Sequence, residues 1–294
     1  MKIFLFTFLV FTTFYLTSCQ KNFELENSNA IISLPDSNYL KKIFYLAKNP
    51  GGSYDTNVIA KVNYDNQKRV ISMLQQNGIG NFLTDHYYYY NTNDNLPYKS
   101  MHASTDLILG ENDTAILNHT YNAMGNKIKD SSNTVYHNPQ IFPPVPVGRE
   151  KSVAQYSYGA GKIFGETIFL DASNSPSYYV RDTAVVDIGN NITSSDSYYL
   201  FMGVYTLTNI YTYTYDTKIN PFAKLRLHKV QRYFEDDFYQ FFETHGQKNI
   251  IGYSKGGFTD YLSSYTYNSA GYPLTQTGIS EGEEFKIIYT YTTL

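Results

Sequence analysis

Phe285-Lys286-Ile287-Ile288-Tyr289-Thr290-Tyr291-Thr292, near the end of the 294-residue chain, decides the fold. In an extended chain Phe285, Ile287, Tyr289 and Tyr291 fall on one face, and Lys286, Ile288, Thr290 and Thr292 on the other. The same period returns at 209–215, where Tyr211, Tyr213 and Tyr215 alternate with Ile210, Thr212 and Thr214. It returns again at 261–267, where Tyr261, Tyr265 and Tyr267 alternate with Leu262, Ser264 and Thr266. A period of two with unlike faces is the pattern of an antiparallel sheet whose two sides meet different surroundings. Parallel strands, covered on both faces, would read as unbroken apolar runs, which argues against a doubly wound α/β fold. The 31 Tyr and 19 Phe, with no Trp, favour strands as well.

A recurring turn unit links these strands: Tyr, then Asp or Asn, then a few turn residues and a restart. It occurs at Tyr64-Asp65, Tyr90-Asn91, Tyr121-Asn122, Tyr215-Asp216 and Tyr267-Asn268, with Tyr158-Gly159 as a degenerate copy. An Asp or Asn side chain can bond to the backbone two residues on, and Gly or Asn can take positive φ, so each unit reads as a hairpin corner. The spacing is irregular, which argues for a β-meander rather than a solenoid. Two stretches break the pattern. Residues 136–149 hold four prolines and read as a long loop, a candidate seam within the β domain. Residues 229–244 place Val230, Tyr233, Phe234, Phe238, Phe241 and Phe242 at three- and four-residue steps, which predicts one amphipathic helix packed on the sheet or closing a barrel end.

The first 18 residues read as an export signal. Lys2 precedes an apolar run over 3–16 that would span only ~21 Å as a helix, short of a ~30 Å hydrocarbon core. The run ends in Leu16-Thr17-Ser18-Cys19, which resembles the lipobox of bacterial lipoproteins. That resemblance implies cleavage before Cys19 and acylation of Cys19, the one cysteine in the chain. The mature chain would then have no disulfide and no thiolate chemistry. Residues 19–38 read as a lipidated, polar tether, and 39–294 as a single antiparallel β domain.

Together, the lipobox, the Tyr-Asp corners, the string Tyr215-Asp216-Thr217-Lys218-Ile219-Asn220-Pro221-Phe222 and the closing hairpin resemble one family. It comprises uncharacterised lipoproteins of Bacteroidota-type bacteria that carry a domain of unknown function with a porin-like fold. More loosely, the corners are similar to the tyrosine-aspartate repeats of Rhs-type cell-surface proteins. The resemblance implies many antiparallel strands curling into a barrel or a strongly curved sheet, on an outer-membrane lipoprotein facing the periplasm or the cell exterior. It implies no activity and transfers no catalytic residue.

The composition excludes some classes outright. Lys plus Arg number 23 against 26 Asp plus Glu, so no basic excess exists to neutralise nucleic-acid phosphates. A mean hydropathy of −0.37, with Thr, Ser, Lys and Asn at alternate strand positions, argues against a lipid-facing belt.

Two chemical motifs invite a test. Gly252-Tyr253-Ser254-Lys255-Gly256 matches the nucleophile elbow of α/β-hydrolases, but all six histidines precede Ser254, whereas that mechanism needs a later one. A Gly-containing hairpin accounts for it better. Gly159-Ala160-Gly161-Lys162 lacks the first Gly and the Ser or Thr of a phosphate loop. Asp113-Thr114-Ala115 and Asp182-Thr183-Ala184 resemble short O-glycosylation motifs of the same bacterial phylum, which would place them in surface loops.

No residue set calls for a cofactor or a metal. The expected role is a non-enzymatic binding or structural module, with Tyr211, Tyr213 and Tyr265 as candidate ligand contacts. The expected partners are the membrane, through the lipid on Cys19, and a glycan or a surface protein. The alternatives are a glycosidase-like hydrolase of surface polymers and an acyl-anchored pore.

Overall fold

The computed structural model describes residues 38–48, 54–76, 82–107, 111–138, 145–225, 246–280 and 282–294. The stretches read as an export signal with Cys19 and as a tether, up to residue 37, and the stretch 229–244 expected to be an amphipathic helix lie outside the described residues.

Sixteen strands form one closed antiparallel barrel, each paired with its neighbours in sequence, and β1 closes on β16. In chain order they are β1 (Tyr39–Lys48), β2 (Tyr54–Tyr64), β3 (Val70–Gln76), β4 (Phe82–Tyr89), β5 (Lys99–Asp106) and β6 (Asn112–Tyr121). They continue as β7 (Lys127–Asn138), β8 (Val145–Gly159), β9 (Lys162–Leu170), β10 (Pro176–Val186), β11 (Ile192–Phe201) and β12 (Val204–Ile219). A short helix, α1 (Pro221–Leu225), precedes β13 (Lys248–Lys255), β14 (Phe258–Tyr267), β15 (Pro273–Ser280) and β16 (Glu283–Thr292). The expected antiparallel meander is therefore present, and it closes. Closure removes the unpaired strand edges that an open sheet would expose.

Antiparallel order puts every even-to-odd connection at one end of the barrel, together with both ends of the closing pair. This near end carries the Tyr-Asp and Tyr-Asn corners. In three of them an Asx side chain accepts bonds from the backbone two and four residues on: Asp65 from Gln67 and Arg69, Asn122 from Met124 and Asn126, and Asn268 from Ala270 and Tyr272. Asp187, which lacks the preceding Tyr, builds the same corner with Gly189 and Asn191. The fourth residue of each takes positive φ (Lys68, Gly125, Asn190 and Gly271), the usual partner of a type I turn in a hairpin.

Tyr215-Asp216 departs from this expectation. β12 runs on to Ile219, and Asp216 instead bonds the amide of Lys218 and, across the pair, the backbone and side chain of Asn249. The proline-rich stretch departs too. Strand pairing resumes on both sides of 139–144, and Pro146 sits opposite His137 at a register shift, an irregularity of the kind that tolerates a residue with no amide proton. The two Asp-Thr-Ala motifs lie inside β6 and β10 rather than in loops.

Register identifies the inner face. α1 follows β12 yet touches β1, which lies beyond β13–β16 around the wall, so the contact runs through the interior. Phe222 and Leu225 join Leu40, Ile43, Ile59, Met73, Tyr253 and Ile287 in one apolar core that fills the β12–β4 side. The opposite face of each strand points outward and carries charges on β1, β2, β4, β7, β9–β11 and β16: Lys42, Lys61, Asp85, Lys129, Glu166, Arg181, Asp196 and Lys286, while that of β12–β15 exposes Ile210, Leu262 and Ile279.

Candidate functional site

Two polar groupings occupy the inner face over β5–β11. The first lies deep, towards the near end. His119 Nδ1 is 2.7 Å from Asp130 Oδ1, and His119 Nε2 is 3.0 Å from Ser100 Oγ. Lys127 Nζ lies 2.8 Å from Asp130 Oδ2, and the Tyr156 hydroxyl donates to that oxygen at 3.2 Å. Burial opposes the charge on Asp130, but the Lys127 ammonium and the bonds from His119 and Lys127 outweigh it and hold the carboxyl below its ordinary range.

Ser–His–carboxylate contacts of this kind are those of a hydrolytic triad. Here Ser100, Lys127 and Asp130 are fully buried, so no substrate carbonyl can reach the hydroxyl. The network is satisfied internally when Nδ1–H donates to Asp130 and Nε2 accepts from Ser100. Its chemistry is that of a buried ion pair in which both Asp130 oxygens have partners.

The second grouping lies at the far mouth, where the wall is uneven. β8 has 15 residues and β12 has 16, against 8 each in β13 and β15. Pairing between β12 and β13 reaches only Tyr211–Lys255, so Val204–Asn209 stands beyond the β13–β14 turn. The inner face of this tall arc therefore looks across a low rim.

It carries a row of aromatics. Phe169 stacks on Tyr178 at 4.1 Å and 11°, and Tyr199 follows at 5.8 Å from Tyr178, tilted by 46°. On the adjoining strands the Tyr136 hydroxyl lies 3.5 Å from Glu150 Oε2, and Tyr136 is paired in register with Asp113. The Tyr136 ring lies over Gly148, where a Cβ would still be in ordinary contact with it at 3.5 Å. Burial raises the Asp113 carboxyl above its ordinary range, against bonds from Ser104. Burial and the nearby carboxylates of Glu150 and Asp113 raise the Tyr136 phenol. Tyr136 and Tyr199 each remain 38% exposed.

The three tyrosines singled out in the sequence lie elsewhere on the inner wall, beside the apolar core. Tyr265 donates its hydroxyl to the Ile250 carbonyl at 2.8 Å. Tyr211 and Tyr213 stack at 6.3 Å, and both pack against Tyr253. The structure packs all three against the same apolar core, away from the exposed aromatic row. Ser254 of the nucleophile-elbow lookalike sits in β13 before the Gly256–Gly257 turn, and its hydroxyl is 2.6 Å from Thr212 Oγ1. The motif is a hairpin, as its glycines suggested, and Gly159–Lys162 is likewise the β8–β9 turn.

Sequence reading missed Ser100, His119 and Asp130, and also Tyr136, Glu150, Phe169, Tyr178 and Tyr199. A period-two register carried across β5–β11 would put each set on one face, but no local motif marks either.

Sixteen strands falls within the strand numbers of porins. The fold is porin-like. A comparison with known protein families finds no match, and no curated protein matches. Among solved structures the chain is similar to a porin-like protein from Bacteroides vulgatus ATCC 8482, at 14% identity and a TM-score of 0.48 over 87% of this chain and 100% of that one. It is also similar to a porin-like protein from Bacteroides uniformis ATCC 8492, at 12% identity and a TM-score of 0.35 over 86% of this chain and 97% of that one.

Proposed function

We propose that the chain is an exported, lipid-anchored barrel that stands in water outside the bilayer and serves as a non-catalytic binding module of the outer membrane or cell surface. The charged outer wall carries this reading. A membrane-spanning barrel presents an apolar band about 25 Å tall, and each Lys or Arg at its midplane costs about 2–4 kcal/mol. Lys42, Lys129, Arg181 and Lys286, with Asp85, Glu166 and Asp196, all point outward, which argues against the acyl-anchored pore. Attachment falls to Cys19, with a tether whose reach as a flexible coil is about 25 Å. The contact surface is the inner face of the tall arc, where aromatic side chains and carboxylates meet solvent together.

Two measurements test this. Cells fed an alkyne-tagged fatty acid should label the wild-type chain and leave Cys19→Ala unlabelled. The barrel Asn38–Leu294, which contains every described strand, should be monodisperse without detergent. A barrel that needs detergent to stay in solution would overturn the water-exposed reading.

A further inference from the structure

We propose that the inner face of the tall arc binds an oligosaccharide that carries no acidic groups. This deepens the binding-module reading and rests on it. The first support is the aromatic row. Phe169, Tyr178 and Tyr199 lie on β9, β10 and β11, three adjacent strands, and none of them belongs to the apolar core on the opposite side. Inward-facing tyrosines at the near end behave differently. Tyr64, Tyr158 and Tyr215 donate their hydroxyls to main-chain carbonyls and pack inside. The Tyr199 hydroxyl bonds to no described protein group, and its ring is 38% exposed at the mouth. A half-exposed row of ring faces suits the flat C–H face of a pyranose, which is the apolar side of an otherwise hydroxylated ligand.

The second support is polar and lies on the same face. Ser152 pairs with Phe169, Thr134 with Glu150, and Tyr136 with Asp113, so Asp113, Tyr136 and Glu150 continue the row onto β6, β7 and β8. From β7 to β11 the strip crosses four strand spacings, about 19 Å, long enough for several sugar rings. Carboxylates are the strongest acceptors a protein can offer sugar hydroxyls.

The sign of the charge sets the class. Among the described residues, the far-half inward positions of β5–β11 carry Asp106, Asp113 and Glu150 but no Lys or Arg, because Arg149, Lys151 and Arg181 pair on the outward face. A uronic acid or a sialylated chain would meet like charge here, which rejects it as effectively as any added contact selects a neutral one.

Calorimetric titration of Asn38–Leu294 decides the matter, with neutral cello-, xylo- and N-acetylchito-oligosaccharides set against oligogalacturonate. Saturable binding of at least one neutral series is expected, with no heat from oligogalacturonate. Tyr199→Ala, at an exposed site, should weaken binding about tenfold or more. Glu150→Gln should weaken it about fivefold, the loss of a charge-assisted bond. Thr212→Ala on the outer wall should change nothing. Absence of binding by a folded, soluble barrel overturns the site and leaves the water-exposed reading standing. Equal affinity in the Tyr199 and Glu150 variants, or a preference for oligogalacturonate, overturns it as well. Insolubility without detergent is the separate failure of the binding-module reading.

Discussion

Tyr215, near the end of β12, donates its hydroxyl proton to the main-chain carbonyl of Ile192 at the start of β11, at 2.7 Å. The same bond recurs around the near end. Tyr64 reaches Leu40 at 2.6 Å, Tyr90 reaches Val70 at 2.8 Å, Tyr158 reaches Lys127 at 2.6 Å and Tyr291 reaches Pro273 at 2.7 Å. Each phenol crosses from the end of an even strand to the beginning of the odd strand before it. The repeated Tyr in the sequence is therefore a repeated brace. After Tyr64 the following Asp65 shapes the turn, while in all five the ring fills the barrel end and the hydroxyl finds a buried partner in a main-chain carbonyl.

Removing one brace should have a modest and additive effect. Tyr215→Phe keeps the ring and deletes the donor, leaving the Ile192 carbonyl without its partner. The expected loss is about 1 kcal/mol. Tyr64→Phe should cost a similar amount, and the double variant about the sum, because the two bonds share no partner. Urea unfolding at unchanged slope checks this through the midpoints. A double variant no less stable than either single one would show that the phenols do not act as separate braces.

The buried network of Lys127, Asp130, His119 and Ser100 should behave as an ion pair and not as a catalyst. Asp130→Asn removes the counter-ion of the fully buried Lys127 ammonium, at an expected cost of about 3–5 kcal/mol. Replacing both charges, as in Lys127→Met with Asp130→Asn, should recover much of that loss. Because the folded carboxyl lies below its unfolded value of 3.8, its contribution is complete above that pH. It drains away as pH falls through the lower folded value. Chemical unfolding of wild type and both variants at pH 7 and pH 3 separates these effects, since the wild-type advantage over Asp130→Asn should shrink at pH 3.

His86 sets a different pH window. It is fully buried on the inner face, its ring 4.4 Å from His102 and stacked at 6.5 Å with Tyr88. Burial pushes its pKa down from 6.5 to about 4. The unfolded chain therefore takes up a proton between those values while the folded chain does not. Stability is fully present above pH 6.5 and falls as pH drops toward 4, by about 3 kcal/mol over the window. The Asp130 window lies below this one, so between pH 7 and pH 4.5 the difference between wild type and a variant lacking the His86 imidazole reports on His86 with Asp130 still charged. His86→Phe keeps a ring and removes the titration, and it should flatten the stability profile over that range.

Much of this architecture was legible in the sequence, for identifiable reasons. The alternation at 209–215, 261–267 and 285–292 became β12, β14 and β16, because period two survives any amount of twist. The corners at Asp65, Asn122 and Asn268 were legible because their bonds are local. The polar groupings were not. His119 meets Asp130 through the β6–β7 register and Ser100 through a diagonal across β5–β6. Glu150 meets Tyr136 only after a register shift beside Pro146. Long-range register has no local signal, so those residues read as unrelated until the barrel closes. Tyr265 shows the converse limit. Its face was legible, but the carbonyl that takes up its hydroxyl lies on the neighbouring strand.

Gly278 tests how tightly that register is held. It faces inward on β15, opposite Phe285 and Ser263. A Cβ built there would lie 2.1 Å from the Leu262 carbonyl oxygen and 2.8 Å from the tip of the Phe285 ring. The ring could swing aside, but the carbonyl belongs to the β14–β15 ladder and cannot move without breaking it. Gly278→Ala should therefore destabilise by at least the 1–3 kcal/mol typical of overpacking, about that of a lost core methylene group or more. By contrast, Gly203→Ala, at a hairpin tip with nothing within 4 Å, should be limited to the strain of positive φ, about 1 kcal/mol. Thermal unfolding of the two variants side by side distinguishes close packing from backbone strain. A Gly278→Ala barrel as stable as Gly203→Ala would mean that β14 and β15 can part without cost, which a closed ladder does not allow.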